Sequence, residues 1–199
     1  VRHFYETGTH LGFSSYHLAT RHPNLIIHTV EVNKEFHGLS RIPLKKLSNV
    51  HQVLGSSAEQ LVHLVKAHPG GTAIFWLDAH WENFLPLPVE VSAVTQHLDH
   101  AAILVDDCQV PGRPDLKFDS YNGVPIDLKM IGASLDRSKH YEVLIPDYSR
   151  EEAYADGDSF PQIGYSIILM GCGDEWTAVL GDPFIKKHFK RLDSSVLFD

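Results

Sequence analysis

The sequence has few cysteines, no long apolar run and fewer basic than acidic side chains. Two cysteines in 199 residues provide neither a disulfide framework nor a Cys/His metal spacing, which indicates a reducing compartment. No apolar run approaches the roughly 20 residues of a membrane span. The formal net charge of −8 argues against a nucleic-acid partner, because binding a phosphate backbone calls for clustered Lys and Arg. We therefore expect a globular cytoplasmic protein that binds neither membranes nor nucleic acid.

The two ends of the sequence carry the remaining compositional features. The chain begins at Val1 without an initiator methionine or a secretory signal pattern, so we expect a trimmed chain or an excised domain. A basic cluster lies near the C-terminus, and we interpret it as one solvated face of a helix. Its members are Lys186, Lys187, Lys190 and Arg191.

Short apolar runs alternate with helical patterns along the chain. Near-continuous strands such as AIFWL and AAILV are typical of a parallel sheet that is covered on both faces. The polar segment 147–163 separates the last two predicted strands and has no helical pattern, so we expect those strands to pair as an antiparallel hairpin. The sequence predicts one α/β domain over residues 1–199, with seven strands, mostly parallel, and an antiparallel last strand.

Candidate binding residues follow the first three predicted strands, because ligands of open α/β sheets bind beyond the carboxyl ends of the strands. The first strand is followed by Glu6, Gly8 and Gly12, whose spacing differs from the dinucleotide fingerprint and is also explained by turn geometry. Glu31 follows the second strand and is placed to accept hydrogen bonds from ribose hydroxyls, or is a solvated strand-end acid. Ser57 follows the third strand, where it either meets a nucleobase edge or caps the next helix.

Three aspartates follow the next two strands. Asp78 ends the apolar run AIFWL, and Asp106 and Asp107 end AAILV. Carboxylates at neighbouring strand ends repel one another, and burial increases the repulsion. A divalent cation resolves the conflict, and hard oxygen ligands suit Mg²⁺. The alternative is that one or more of these aspartates caps the loop that follows it.

The segments ETGTHLGFSS, VEVN, GSSAE, LDAHWENFLP and LVDDCQVPG occur in this order, each at a predicted strand end. Together they resemble the S-adenosylmethionine-dependent class I methyltransferases, which have a Rossmann-like sheet. The closest resemblance is to the catechol O-methyltransferases and related metal-dependent small-molecule O-methyltransferases. It spans about residues 4–112, and the LDAHW and LVDD segments are its more specific parts.

The resemblance implies a role for each matching residue and a small-molecule methyl acceptor. The methionine end of S-adenosylmethionine (SAM) would lie near Glu6, Gly8, Gly12 and Ser14. Glu31 would hold the ribose, and Ser57 and Trp81 would border the adenine. Mg²⁺ would bind to Asp78, Asp106 and Asp107. In such an enzyme the cation binds the acceptor hydroxyl, lowers its pKa and orients it toward the methyl group.

The sequence departs from this family pattern in three places. Glu82 stands where the general-base lysine is expected, and Asp107 stands where an asparagine is usual. The helices that precede the first strand and cover the cofactor have no counterpart. The proton acceptor is therefore His80, Glu82 or water, and His80 has the alternative of a hydrogen bond to the backbone.

Three readings of the function remain open at this point. The first is a metal-assisted O-methyltransferase, and the second is a methyltransferase that needs no metal. The third is a SAM-binding domain without catalysis that acts in binding or regulation. A nicotinamide dehydrogenase is disfavoured by the glycine spacing. The residues also leave homo-oligomerisation open.

Overall fold

The computed structural model describes residues 1–80, 84–149, 152, 162–171 and 174–198. Trp81 and Glu82, two of the predicted site residues, lie outside these ranges. No helix among the described residues is both long and apolar enough to cross a membrane. The strands are β1 (His3–Thr7), β2 (Ile26–Glu31), β3 (Val50–Leu54), β4 (Ala73–Leu77), β5 (Ala101–Val105), β6 (Ser120–Tyr121), β7 (Val124–Pro125), β8 (Tyr141–Pro146), β9 (Ser166–Met170) and β10 (Phe189–Leu192).

The main sheet has the strand order β10-β8-β9-β5-β4-β1-β2-β3. Strands β1 to β5 are parallel to one another, and β9 inserts antiparallel between β5 and β8. Strands β6 and β7 form a separate two-stranded hairpin. The predicted mostly parallel sheet with an antiparallel hairpin near its end is confirmed.

The predicted count of seven strands is wrong by one, because β10 adds an eighth strand to the main sheet. This strand pairs antiparallel with β8, and the preceding helix ends at His188. Lys190 and Arg191 therefore lie on an edge strand, and the expected helix face holds only the other two cations. Arg191 donates to the Glu142 carboxylate on β8, which helps to hold the strand in place. Four residues with two central charges carry no apolar alternation that would predict a strand.

Helices cover both faces of the sheet. Leu61, Val91 and Ile131 belong to three different helices that pack with Phe75 and Ile103 in the largest buried cluster. A second cluster lies on the opposite face of the sheet. The helices are α1 (Phe13–Arg21), α2 (Lys34–Leu44), α3 (Ser57–Lys66), α4 (Leu87–His97), α5 (Leu128–Ala133), α6 (Asp174–Gly181), α7 (Pro183–His188) and a 3₁₀ turn (Ser194–Leu197).

A row of aromatic rings crosses four strands on one face of the sheet. Phe75, Tyr5, His28 and His51 occupy paired positions on β4, β1, β2 and β3. The Tyr5 ring stacks on Phe75 and on His28, in both cases with 4.8 Å between ring centroids. Burial, followed by the neighbouring His51, His3 and His68, lowers the pKa of His28 to about 4. The fold therefore favours neutral His28.

We expect this row to make the protein acid-sensitive through His28. The folded-state pKa lies below the unfolded value of 6.5, so the unfolded chain binds more protons between these values and stability is lost as pH falls from about 6.5 to about 4. The shift corresponds to at most about 3 kcal/mol, and to about 2 kcal/mol after solvent screening of a partly exposed ring. Urea unfolding of the wild type and His28→Gln across this pH range measures the effect.

The difference between the two proteins should shrink or reverse at low pH, because His28→Gln has no proton to bind. His17→Gln, on the exposed face of α1, is the control and should follow the wild-type profile. Parallel pH profiles for the wild type and His28→Gln would contradict the assignment.

Candidate functional site

A cavity of about 520 Å³ opens at the carboxyl ends of β1 to β5. Its volume lies within the range of about 300–1,000 Å³ that is typical of small-molecule and cofactor sites. The strand order reverses between β1 and β4, which is the place where open α/β sheets bind ligands. The lining residues that bear on function are Gly8, Glu31, Ser57, Asp78, His80, Asp107 and Asp119.

Gly8 brings the end of β1 against the end of β4. Its φ is +85°, and a Cβ at this position would lie 2.1 Å from the backbone oxygen of Asp78. A side chain is therefore excluded both by the backbone conformation and by the space. Gly12 precedes α1 and does not line the cavity; a Cβ there would lie 3.0 Å from Leu44 Cδ1.

Glu6 is buried behind the cavity. Its carboxylate accepts hydrogen bonds from the hydroxyl groups of Ser14, Ser15 and Thr29, the last two at 2.6 Å. Burial raises the pKa of Glu6, and the three hydroxyls oppose that rise. These bonds join β1, α1 and β2. The predicted contact of Glu6 and Ser14 with a cofactor remains a prediction, since neither lines the cavity.

Glu31 ends β2 and lines the cavity. Its Oε2 accepts from the backbone N–H of His10 at 2.7 Å, and its Oε1 accepts from the backbone N–H of Asn33 at 2.8 Å. The two bonds fix the carboxylate at the strand end, and each oxygen keeps a second lone pair for a ligand.

A cluster of acidic groups around one histidine lines the cavity beyond β4 and β5. Ligand atoms of Asp78, His80 and Asp107 all lie within 4.8 Å of one another. His80 Nε2 lies 2.7 Å from Asp107 Oδ2, 3.9 Å from Asp78 Oδ1 and 3.8 Å from Asp119 Oδ2. The backbone N–H of Asp119 donates to the backbone oxygen of Asp107 at 3.0 Å, which holds this loop over the cluster.

The electrostatics of the cluster reflect crowded negative charge. Burial and the nearby Asp106 raise the pKa of Asp78 to about 7. Burial and Asp107 raise the pKa of Asp106 to about 6. Burial alone would lower the pKa of His80, but Asp107, Asp78 and Asp119 raise it above its ordinary value. The cluster therefore favours a positive charge at its centre, which either a protonated His80 or a bound cation supplies.

The donor set of the cluster fits a divalent cation. Two carboxylates and one imidazole converge on a common volume, and such oxygen and nitrogen donors bind first-row and Mg²⁺-like cations. The ligand set differs from the one that the sequence predicts, because Asp106 does not belong to this group and His80 does. The sequence predicts both Asp106 and Asp107 as ligands, and of the two it is Asp107, with a φ of +50°, that lines the cavity.

Comparison with solved structures finds methyltransferases. The O-methyltransferase TomG from Streptomyces achromogenes, involved in tomaymycin synthesis and crystallised in complex with SAM, aligns over 86% of this chain and 74% of its own, with a TM-score of 0.56 and 19% identity. The O-methyltransferase from Bacillus cereus in complex with S-adenosylhomocysteine (SAH) aligns over 84% and 73%, with a TM-score of 0.57 and 14% identity. No family model and no curated protein matches the sequence.

The fold is that of the class I methyltransferases. In this methyltransferase fold the predicted residues that line the cavity are Gly8, Glu31, Ser57, Asp78, His80 and Asp107. Sequence reasoning missed Asp119, which lies in a polar loop without periodicity. It also missed Glu90, a buried carboxyl on α4 that neighbours Ser57 and Thr7. An acidic residue inside the apolar stretch PLPVEVSAV is the signal that could have identified Glu90.

Proposed function

We propose that this protein is a SAM-dependent methyltransferase that methylates a hydroxyl group of a small molecule with the help of a divalent cation. The observation that carries the proposal is that one cavity is lined both by Glu31, beyond β2, and by the Asp78, His80 and Asp107 cluster, beyond β4 and β5. SAM and SAH in the similarly folded TomG and Bacillus cereus O-methyltransferases support SAM as the methyl donor.

The position of each lining residue in the cavity indicates its role. Gly8 lets the ligand approach the backbone between β1 and β4, and Glu31 accepts hydrogen bonds from the ribose hydroxyls. Asp78, His80 and Asp107 would hold the cation, which supplies Lewis-acid activation of the acceptor hydroxyl. Orientation of the hydroxyl toward the methyl group supplies much of the acceleration, because it makes the displacement effectively intramolecular.

His80 has one lone pair when it is neutral, and its Nε2 faces the cluster. It therefore serves either as a cation ligand or as the proton acceptor at that nitrogen, but not as both at once. Asp119, with a side chain 57% exposed at 3.8 Å from His80, is placed to take a proton from an acceptor that enters the cavity. Glu82 stays a third candidate for this proton.

A methyltransferase that needs no metal is the second candidate function. The 2.7 Å contact of His80 Nε2 with Asp107 favours it, because a protonated imidazole neutralises the cluster without a cation. The two candidates differ in one measurable property. In the metal-independent enzyme, Mg²⁺ changes neither the melting temperature nor the rate of methyl transfer.

Calorimetric titration of the protein with SAM and SAH, with and without Mg²⁺, tests the proposal. We expect SAH to bind in both conditions and Mg²⁺ to bind with a heat of its own. Methyl transfer from isotope-labelled SAM to a panel of phenols and alcohols then identifies the acceptor class. Absence of SAM and SAH binding would reject both candidate functions, while binding without transfer to any hydroxyl would favour the non-catalytic reading.

We expect Glu31→Ala to weaken SAH binding more than any other single carboxylate substitution. Two hydrogen bonds from ribose hydroxyls to a charged acceptor correspond to roughly 2–4 kcal/mol. Titration calorimetry with SAH measures the loss. Glu35→Ala is the control, since Glu35 is exposed on the first turn of α2 and does not line the cavity. An unchanged dissociation constant for Glu31→Ala would rule out the ribose role.

A further inference from the structure

Asp119 lines the cavity from the base of the β6–β7 hairpin, and its backbone is held on two sides. Its N–H donates to the backbone oxygen of Asp107 at 3.0 Å, and its backbone oxygen accepts from the N–H of Ile126 at 3.0 Å. The second bond continues the antiparallel pairing of β6 with β7. Ile126 is fully buried in the largest core cluster. The position of Asp119 is therefore fixed both to the loop after β5 and to the core.

The carboxylate of Asp119 has no cationic partner of its own. Its side chain is 57% exposed, and its one ion-pair contact within the described part of the chain is with His80 Nε2 at 3.8 Å. That nitrogen lies closer to Asp107, at 2.7 Å. Asp119 is also not one of the three residues whose ligand atoms converge on a common volume. Its negative charge therefore remains in the cavity whether a cation or a protonated His80 neutralises the cluster.

The rest of the cavity offers no strong positive charge. Among the described residues that line it there is no Lys or Arg, and the basic groups are the imidazoles of His10 and His80. The lining carboxylates are those of Glu31, Asp78, Asp107 and Asp119. An anionic group that enters this cavity meets like charges, and such contacts across an interface are costly.

The same hairpin brings an aromatic ring next to Asp119. Tyr121 follows it by two residues, so the two side chains point to the same face of the extended segment. The Tyr121 ring meets the His80 ring edge-on, with 6.1 Å between the centroids. Asp119 and Tyr121 thus approach the same imidazole. A carboxylate beside an aromatic ring is a combination that binds an ammonium group, by ion pairing and by cation–π attraction.

We propose that Asp119 is a specificity-determining residue that selects the methyl acceptor by charge. It favours a hydroxyl compound that carries an ammonium group and disfavours one that carries a carboxylate or a phosphate. The inference rests on the proposed function, because it takes the acceptor hydroxyl to lie at the Asp78, His80 and Asp107 cluster. An ammonium group on the same molecule pairs with Asp119, whereas a carboxylate at that place meets a like charge.

The test uses phenols that share one ring and differ at the end of a two-carbon side chain. Tyramine ends in an ammonium, tyrosol in a hydroxyl and 4-hydroxyphenylacetate in a carboxylate, and each is used with one ring hydroxyl and with two adjacent ones. Calorimetry measures their binding to the SAH complex, and methyl transfer from SAM gives kcat and KM. We expect the amine to exceed the acid by about tenfold in affinity and in kcat/KM, with the difference mainly in KM.

Asp119→Asn should lower this ratio to about threefold or less, and Asp119→Glu, which keeps the charge, should retain the wild-type ratio. High salt should lower the ratio in the wild type, because the carboxylate is exposed to screening. Asp99→Asn is the control for net charge, since it removes a negative charge from a remote side chain that is 89% exposed. It should leave the ratio unchanged.

A role of Asp119 as proton acceptor alone would lower kcat for all the phenols alike in Asp119→Asn and keep the ratio, which would overturn the inference. Equal use of the amine and the acid by the wild type overturns it as well and leaves the methyltransferase in place. So does SAH binding without binding or methylation of any of these phenols. Absence of SAM and SAH binding instead rejects the proposed function, and the inference falls with it.

Discussion

Asp78→Asn should abolish the stabilisation of the protein by Mg²⁺ without destabilising the metal-free protein. Wild-type protein at a Mg²⁺ concentration of 100 times its dissociation constant gains about 2.7 kcal/mol, which for a chain of this size corresponds to roughly 5–10 °C in melting temperature. The variant loses a ligand of the cluster and should show no such rise. Under the proposed function, methyl transfer should fall with it, because the acceptor hydroxyl would lose the cation that activates it.

The behaviour of the metal-free protein separates a ligand from a structural aspartate. Burial, together with the nearby Asp106 and Asp107, raises the pKa of Asp78 to about 7, so removal of its charge relieves both the burial cost and the repulsion. The melting temperature of metal-free Asp78→Asn should therefore equal or exceed that of the wild type. An aspartate that caps a turn would instead lose about 1 kcal/mol on substitution.

Asp99→Asn is the matched control, because it removes one negative charge from a side chain that is 89% exposed and remote from the cluster. It should retain the full response to Mg²⁺. A wild type that shows no response to Mg²⁺ would reject the cation and favour the metal-independent methyltransferase, in which His80 neutralises the cluster.

Gly8→Ala should destabilise the protein and remove SAH binding together. An alanine at a φ of +85° costs about 1–2 kcal/mol by itself. Its Cβ would also lie 2.1 Å from the backbone oxygen of Asp78, so the end of β4 has to move and the cluster moves with it. We expect a total loss of more than about 3 kcal/mol in the free energy of unfolding.

Gly71→Ala is the control that has the same backbone cost without the steric clash, so the difference between the two variants measures the steric part. Gly71 has a φ of +86°, and no atom lies within 4 Å of the position of its Cβ. The free energy of unfolding of Gly71→Ala should fall only by the backbone cost of about 1–2 kcal/mol, and this variant should bind SAH like the wild type. Urea unfolding and calorimetry measure both quantities, and equal losses in the two variants would show that the approach of β1 to β4 does not matter.

The parts of the fold that could be predicted from the sequence are those with strong local signals. The apolar runs AIFWL and AAILV identify the central strands, and the polar segment before β9 identifies the hairpin. The eighth strand could not be predicted, since the pairing of Phe189–Leu192 with β8 depends on the tertiary position of α7 and not on a periodic pattern. Edge strands are often short and charged, so they lack the apolar alternation by which a strand is recognised in a sequence.

The candidate site was predicted to the level of strand ends but not of side-chain direction. Glu31 and Asp78 line the cavity as expected, because each directly follows a parallel strand. Asp106 and Asp107 are equivalent in sequence, and only the backbone turn at Asp107 decides which one reaches the cluster. Asp119 lies 41 residues beyond Asp78 and is brought to the cluster by a backbone hydrogen bond that no local pattern encodes.

The basic edge strand β10 also bears on how two copies of the protein could meet. If two copies paired this edge antiparallel in the register that places Lys190 of one copy opposite Arg191 of the other, like charges would lie directly opposite each other, which is destabilising. The same two residues discourage the addition of foreign strands, which is the route by which exposed edges start aggregation. A continuous sheet across two subunits is therefore disfavoured in this register.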